Sequence, residues 1–269
     1  MTARRVNGID RRELLLLTAH VVHKDRSWTI AHPEHRLTAS QKRRLRALVL
    51  RRRAGEPIAY LTGEMEFYGH PFQVGNGILV PRPESELLVD EALRLCPPST
   101  HGAIADIGTG SGCLAISIAL ARPSLRVYAT DSSPIALSYT RRNARRLLDP
   151  HRIEFFRGDL LAPLLSRGIE PICIVANLPY ATPKEYRNVH AEPRAAIVGG
   201  HDGMLVYRRF FAQLKQSGLQ VPVVIEIDPR RLSSVKKLAR SAYPRCAISM
   251  QKDLAGFPRM LTIIPLGHH

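Results

Sequence analysis

Asn177-Leu178-Pro179-Tyr180 closes the apolar run Ile172-Cys173-Ile174-Val175-Ala176, and these residue types in this order can do chemistry on a planar NH2 group. Such a group has two N–H donors and a flat face. The Asn side-chain oxygen and a neighbouring backbone carbonyl can accept the donors, while an aromatic ring covers the face. Well upstream lies the glycine loop Asp106-Ile107-Gly108-Thr109-Gly110-Ser111-Gly112, where glycine permits tight turns and close backbone approach to a ligand. Its G-x-G-x-G spacing is not the G-x-G-x-x-G of dinucleotide sites and argues against a nicotinamide enzyme. Asp131, at the end of the next apolar segment, is placed to accept from ribose hydroxyls. Asp159, in Gly158-Asp159-Leu160, follows a third such segment, where a carboxylate can meet an adenine amino group. Helix capping ahead of Pro134 and Leu161 is the competing reading for the two aspartates. Taken together, the pieces predict transfer of a methyl group to a planar nitrogen. No His/Cys cluster offers a metal site, and His190 and His201 read as loop histidines.

The elements that must position these residues follow from the pattern. From residue 10 the chain reads as helical. Asp10 is a plausible cap with Glu13 three positions on, and Thr38-Ala39-Ser40-Gln41 is a capping box. Leu45, Leu48 and Val49 recur at helical spacing, and Gly55-Glu56-Pro57 supplies a stop. Glu64 to Val74, with aromatic alternation around Gly69-His70-Pro71, reads as a hairpin, and Pro81 and Pro83 delay any helix until Glu84 or later. From residue 103 strands and helices alternate: strands at 103–107, 126–130, 153–156, 172–176 and 221–227, helices at 113–121, 134–148, 204–215 and 232–242. Late strands at 247–250 and 260–264 complete the series. Alternation of this kind predicts an α/β fold with a parallel sheet, helices on both faces and ligands beyond the strand C-termini.

The 269 residues are 45% hydrophobic and 23% charged, an ordinary balance for a globular protein. No apolar stretch approaches the roughly 20 residues of a membrane span, and the N-terminus lacks a signal-peptide pattern, so no membrane association is expected. The C-terminal Gly267-His268-His269 resembles a tag remnant. Four cysteines, Cys96, Cys113, Cys173 and Cys246, are far apart and show no zinc spacing, which fits free thiols and a cytoplasmic location. The formal charge is +16. Between Glu34 and Glu56 there is no acid, while Arg36, Lys42, Arg43, Arg44, Arg46, Arg51, Arg52 and Arg53 crowd together. A solvated helix face and a ribosome or RNA contact through segment 36–53 are the two readings of that run.

From about residue 10 to residue 265 the chain resembles the HemK/PrmC family. These are S-adenosylmethionine-dependent methyltransferases that modify the glutamine side-chain nitrogen of the Gly-Gly-Gln motif in peptide chain release factors. The resemblance is carried by Glu56-Pro57-Ile58-Ala59-Tyr60-Leu61-Thr62-Gly63, Glu66-Phe67-Tyr68-Gly69, Pro81-Arg82-Pro83-Glu84-Ser85-Glu86 and the loop from Asp106 to Gly112. Glu192-Pro193-Arg194, Gly200-His201-Asp202-Gly203 and Lys252-Asp253-Leu254-Ala255-Gly256 continue it. It implies a class I methyltransferase domain with a Rossmann-like sheet over residues 81–269. It further implies a helical substrate-recognition domain over 1–63 and an interdomain hairpin or linker over 64–80.

By the same resemblance Asp106, Gly108, Thr109, Gly110, Gly112, Asp131, Asp159, Leu160 and Asn177 hold S-adenosylmethionine. Asn177, Leu178, Pro179 and Tyr180 hold the substrate amide, with Asn177, Pro179 and Tyr180 at the reacting group. Arg82 and Glu84 sit beside the site, where pairing of Arg82 with a carboxylate is an equally good structural explanation. Three departures from the family pattern stand out. Leu178 replaces the usual first proline, Asp228 replaces a glycine, and Ala181-Thr182 follows Tyr180 in place of the usual isoleucine. Asn-Leu-Pro-Tyr is also similar to the motif of ribosomal RNA adenine dimethyltransferases. Adenine-N6 methylation of rRNA or DNA is therefore the alternative enzyme reading. A non-catalytic nucleic-acid-binding protein with a retained nucleoside pocket is the alternative of another class.

Overall fold

The computed structural model describes residues 5–6, 9–187 and 191–267; His190 and the terminal His268 and His269 lie outside them. The chain forms two compact units, one running to Glu64 and taking in Val74–Asn76, the other comprising Met65–Gln73 and everything from Gly77 on.

In the first unit a short antiparallel pair, β1 (Arg5–Val6) and β2 (Ile9–Asp10), precedes α1 (Arg11–Val22), α2 (Arg26–Ala31), α3 (Ala39–Arg53) and α4 (Ile58–Thr62). Side chains start the first three helices. Asp10 accepts from the Arg12 N–H at 2.6 Å, Asp25 caps α2, and Thr38 and Gln41 close a reciprocal box at 2.9 and 3.2 Å. Ile9, Leu17, Val21, Leu48 and Leu61 form the small core. Part of the basic run is internally engaged: Arg52 holds Glu13 at 2.7 Å, Arg51 holds Glu56, and Arg44 reaches His20 at 3.1 Å. Lys42, Arg43 and Arg46 are exposed.

A hairpin of β3 (Glu64–Phe67) and β4 (His70–Gln73), which from Met65 on belongs to the second unit, turns through Tyr68 at φ 50° and Gly69 at φ 74°. Two successive residues with positive φ make the tight hairpin turn whose twist suits the strands. A short 3-10 turn over Pro83–Ser85 leads into α5 (Glu86–Leu95). The alternating series then follows as β5 (Gly102–Ile107), α6 (Cys113–Ala121), β6 (Leu125–Asp131), α7 (Pro134–Leu147), β7 (Ile153–Arg157), α8 (Ala162–Leu165) and β8 (Cys173–Ala176). It continues through α9 (Pro183–Tyr186), α10 (Arg194–Ile197), α11 (Leu205–Ser217), β9 (Val223–Glu226), α12 (Leu232–Ala242), β10 (Cys246–Lys252) and β11 (Pro258–Pro265).

Among the described residues these strands form a seven-stranded sheet in the order β10-β11-β9-β8-β5-β6-β7. The pairs from β7 through β9 are parallel, whereas β11 runs antiparallel to both β9 and β10. The parallel sheet that the alternation predicts is formed by β5 to β9, and the two late strands add an antiparallel edge whose direction periodicity does not give. The link between β10 and β11, residues 253–257, is too short for a parallel crossover and can only turn the chain back. Alternate strand residues feed two cores. Ala105, Ile107, Ile174, Ala176 and Ile225 meet α11 and α12 on one face. Ile104, Cys173, Val175 and Val224 meet α5 and α6 on the other. Every residue of β8 and β9 is buried, as expected for central parallel strands covered on both sides.

The chain order reverses at β5, with β6 on one side and β8 on the other, and ligand crevices open at such a switch point. Pairing sets the level: Ile107 stands opposite Ala176, and Ala176 opposite Ile225. The glycine loop, Asn177 and Glu226 therefore emerge side by side. Behind the loop, buried Asn143 of α7 accepts from the Gln73 N–H at 2.8 Å and donates to Gln73 O at 3.0 Å and Ser111 O at 2.8 Å. One side chain thus ties β4 to the loop. Asn143→Ala is expected to cost about 2–4 kcal/mol, because it strands backbone groups at both ends. Urea unfolding measures this, and a loss under about 0.5 kcal/mol means that solvent replaces the three bonds.

Candidate active site

The glycine loop is held from below. The N–H groups of Gly108 and Thr109 both donate to Thr130 O, at 2.9 and 3.0 Å. Gly112, at φ 84°, opens α6. A Cβ there would stand 2.5 Å from Thr140 Cγ2, so the position needs glycine for both conformation and space. Asp106 lies beneath the loop, fully buried, with Oδ2 accepting from Thr109 Oγ1 at 2.7 Å and from the Ala115 N–H at 3.2 Å. Its other oxygen is buried without a partner among the described residues. Burial pushes Asp106 up to about 7 against the pull of those hydrogen bonds. It shapes the loop from behind and does not line the cavity.

Asp131 does face the cavity. Its two oxygens accept from the Gly110 N–H at 3.0 Å and the Ser133 N–H at 2.8 Å. The cap of α7 is Ser133, which accepts from the Ala136 N–H at 3.2 Å, so capping does not account for Asp131. Burial raises Asp131 above the usual carboxylate range, and the backbone N–H groups oppose it. Asp159 lines the same wall but is engaged by Arg209 at 2.7 Å and Gln213 at 2.9 Å. No side-chain cap holds α8, which removes the capping explanation there too. Leu160 takes a left-handed φ of 51° and lines the cavity, its carbonyl accepting from Thr130 Oγ1 at 3.0 Å.

The loop, Asp131, Asp159, Leu160, Asn177, Leu178 and Pro179 enclose a cavity of about 440 Å³. A second cavity of about 90 Å³ is lined by Tyr180, Ile197 and Glu226 and shares Leu79, Arg82, Asn177, Leu178, Pro179 and Ala196 with the first. Asn177 Nδ2 donates to Ser85 Oγ at 2.9 Å. Ser85 donates to Glu226 Oε2 at 2.5 Å, and the Tyr180 hydroxyl to Glu226 Oε1 at 3.3 Å. Glu226 is buried, which raises its pKa, opposed by the Ser85 bond, the Arg259 charge and the Tyr180 bond. Tyr180 is likewise pushed up by burial, and by the Glu226 charge.

Leu178 is 1% exposed and packs in the core beside Gly108. An apolar anchor, worth roughly 1.5–3 kcal/mol of burial, thus stands where the family has proline's fixed backbone. Gly203, at φ 74°, passes so close that a Cβ would lie 2.2 Å from Tyr180 O. Ala181 and Val198 form a bridge, with Ala181 N–H donating to Ile197 O at 2.8 Å. The segment after Tyr180 is therefore pinned by backbone, which tolerates Ala181 in place of a larger residue. Asp228 sits at φ −81°, where glycine has no advantage, and its carboxylate accepts from the Arg230 N–H at 2.8 Å.

Arg82 pairs with buried Glu192 at 2.5 Å, and Glu192 also accepts from the Val80 N–H at 2.8 Å. Glu84 is exposed and lines neither cavity, and His201 is exposed in a turn. Ser85, Glu226, Arg209 and Gln213 are the participants that residue patterns overlook. Glu226 does leave a trace, as a lone acid ending the apolar run Val223-Val224-Ile225. Ser85 leaves none beyond its place in the Pro-Arg-Pro-Glu segment.

Residues 4–63 match the PrmC N-terminal domain family, and residues 84–193 match the methyltransferase small domain family. The chain is similar to the release factor glutamine methyltransferase of Moorella thermoacetica, 39% identical over 86% of this chain and 82% of that one. The enzyme of the same name from Burkholderia pseudomallei is 38% identical over 77% of this chain and 75% of its own. A methyltransferase structure from Pyrococcus furiosus superposes with a TM-score of 0.51 at 18% identity, covering 81% of this chain and 95% of that one, a likeness of fold. Among the described residues no helix is long and apolar enough to cross a membrane.

A carboxyl whose folded value stands above its unfolded value is favoured folded in the protonated form. Asp106 therefore withdraws stability as pH rises from about 3.8 through about 7, and the loss persists above that. Asp106→Asn removes the buried charge. Its melting temperature relative to the parent is expected to be several degrees higher at pH 8 than at pH 4. Thermal melts across that range test this, and a difference independent of pH contradicts it.

Proposed function

The chain belongs to the family of release factor glutamine methyltransferases, and on that premise we propose that it methylates the glutamine side-chain nitrogen in the Gly-Gly-Gln motif of a peptide chain release factor. The observation that carries the proposal is the junction of the two cavities. Asn177, Leu178 and Pro179 line both, so one end of the tetrapeptide faces the glycine loop and the other a compartment bordered by Tyr180.

The larger cavity fits S-adenosylmethionine by its donor set. The Asp131 carboxylate is matched to a ribose diol, the Gly108–Gly112 backbone to close approach of the amino-acid end, and Asp159 with Leu160 to the adenine edge. When bound, S-adenosylmethionine supplies a sulfonium methyl carbon open to in-line displacement. Asp106 contributes indirectly, by holding Thr109 and the start of α6.

An amide nitrogen is a poor nucleophile because its lone pair is delocalised into the carbonyl. Asn177 Oδ1 and the Leu178 carbonyl accept its two N–H bonds, which aims the nitrogen and favours the charge that develops on it. Asn177 has no useful basicity, so its part is positioning and electrostatics. The Tyr180 ring covers the flat face, and Arg82, held by Glu192, borders the substrate end. We assign residues 1–63 to recognition of the release factor and residues 81–269 to catalysis, with 64–80 as the connecting segment. The exposed cations Lys42, Arg43 and Arg46 supply a surface for a polyanionic partner.

Asn177→Ala is expected to lose roughly 10²-fold or more in turnover with cofactor affinity nearly unchanged. Asp131→Ala is expected to weaken cofactor binding first. Calorimetric titration beside steady-state rates separates the two, and parallel collapse of both quantities in Asn177→Ala contradicts its assignment. The substrate is tested by offering labelled S-adenosylmethionine with a release factor, with that factor's Gln→Ala variant, and with rRNA. Label on the unaltered factor alone is the expected result. Label on RNA instead overturns the reading.

A further inference from the structure

We propose that Ser85 and Glu226 set the direction of the Asn177 carboxamide, and thereby the preference of the site for an amide over a carboxylate. The inference rests on Asn177 as the acceptor of the substrate N–H, as argued above.

A carboxamide is nearly symmetric in shape but not in hydrogen bonding, and its neighbours decide which end points where. Here the decision begins at Glu226. Both its oxygens take hydroxyl protons, Oε2 from Ser85 at 2.5 Å and Oε1 from Tyr180 at 3.3 Å. With Glu226 accepting from both hydroxyls, the single hydroxyl proton of Ser85 is committed to it. Ser85 Oγ then meets Asn177 with a lone pair, and only the Nδ2 end can face it, at 2.9 Å. The oxygen end is left for the cavity, where a substrate NH2 needs an acceptor. Each link determines the next.

The same logic predicts what a neutral group does at position 226. A carboxamide there can donate to Ser85 Oγ, which releases the Ser85 proton toward Asn177. Asn177 then turns its oxygen to Ser85 and presents NH2 to the substrate. Two NH2 groups repel, whereas a carboxylate or carbonyl oxygen is welcomed. Ser85 and Glu226 are each 2% exposed, so water does not readily substitute for either link. Neither residue need touch the substrate. They are positioning residues, and Arg259, whose charge favours the ionised form of Glu226, supports them from β11. The strand register makes the arrangement possible, because Ile225 stands opposite Ala176 and brings Glu226 beside Asn177.

The test uses the full chain with a release factor and with that factor's Gln→Glu variant. Glu226→Gln keeps nearly the same shape and is expected to lower turnover roughly 10- to 10²-fold while leaving cofactor affinity within about twofold. Its ratio of affinities for the Gln and Glu forms of the factor, measured by titration, is expected to shift at least ~10-fold toward the Glu form. Ser85→Ala is expected to lose turnover similarly, and Ser85→Thr, which keeps the hydroxyl, to recover most of it. Equal impairment of the two Ser85 variants, or an unchanged Gln/Glu ratio in Glu226→Gln, overturns the proposal. If Asn177→Ala is inactive while Glu226→Gln and Ser85→Ala keep parental rates and discrimination, the relay fails and the assigned function stands. If Asn177→Ala keeps the parental rate, the underlying reading fails instead.

Discussion

Parallel pairing of β5, β8 and β9, with Ile107, Ala176 and Ile225 at one level, is the constraint from which the site follows. These strands are buried on both faces, so a slip of one residue would exchange their two apolar sets between the cores. That penalty fixes where each strand stops. The residues just beyond or at the last positions, the glycine loop, Asn177 and Glu226, are then adjacent by necessity. The reversal of chain order at β5 opens the crevice between the loops at the same place.

Around that crevice the fold accepts desolvated carboxylates. Asp106, Asp131 and Glu226 are all raised by burial, and each is partly compensated by donors close in space. Asp106 is the least compensated, with one oxygen unpartnered among the described residues. Burying such groups is unfavourable for folding, and their clustering at one end of one sheet is the pattern expected where fixed dipoles serve chemistry. Rigidity serves the same end. Asn143 ties the hairpin to the loop, and Gly203 lets its neighbourhood press against the backbone of Tyr180.

Much of the fold was legible in local pattern. The α/β alternation, the Thr38 capping box, the hairpin near residue 69 and the positions of the main strands follow from near neighbours in the chain. The antiparallel edge was not legible from periodicity, because strand direction depends on the length of a connection and on its partner. The two aspartates show the same division. Sequence left Asp131 and Asp159 open between ligand and helix cap, and the placement of Ser133 and the absence of a side-chain cap on α8 remove the second reading. Arg82 was ambiguous for the same reason, and Glu192 supplies the carboxylate partner.

By itself the sequence determined which reacting groups exist and roughly where each loop begins. The glycine spacing and the Asn-Leu-Pro-Tyr order are local, and their chemistry is carried by residue type. Only the tertiary structure decided what stands behind them. Ser85 meets Asn177 across 92 positions and Glu226 across 141, and no short-range pattern encodes such pairs. Their meeting comes from strand register and buried packing, which are properties of the whole sheet. Leu178 illustrates the difference well. As a letter it is a departure from the family motif, and in the fold it is a buried apolar side chain beside Gly108.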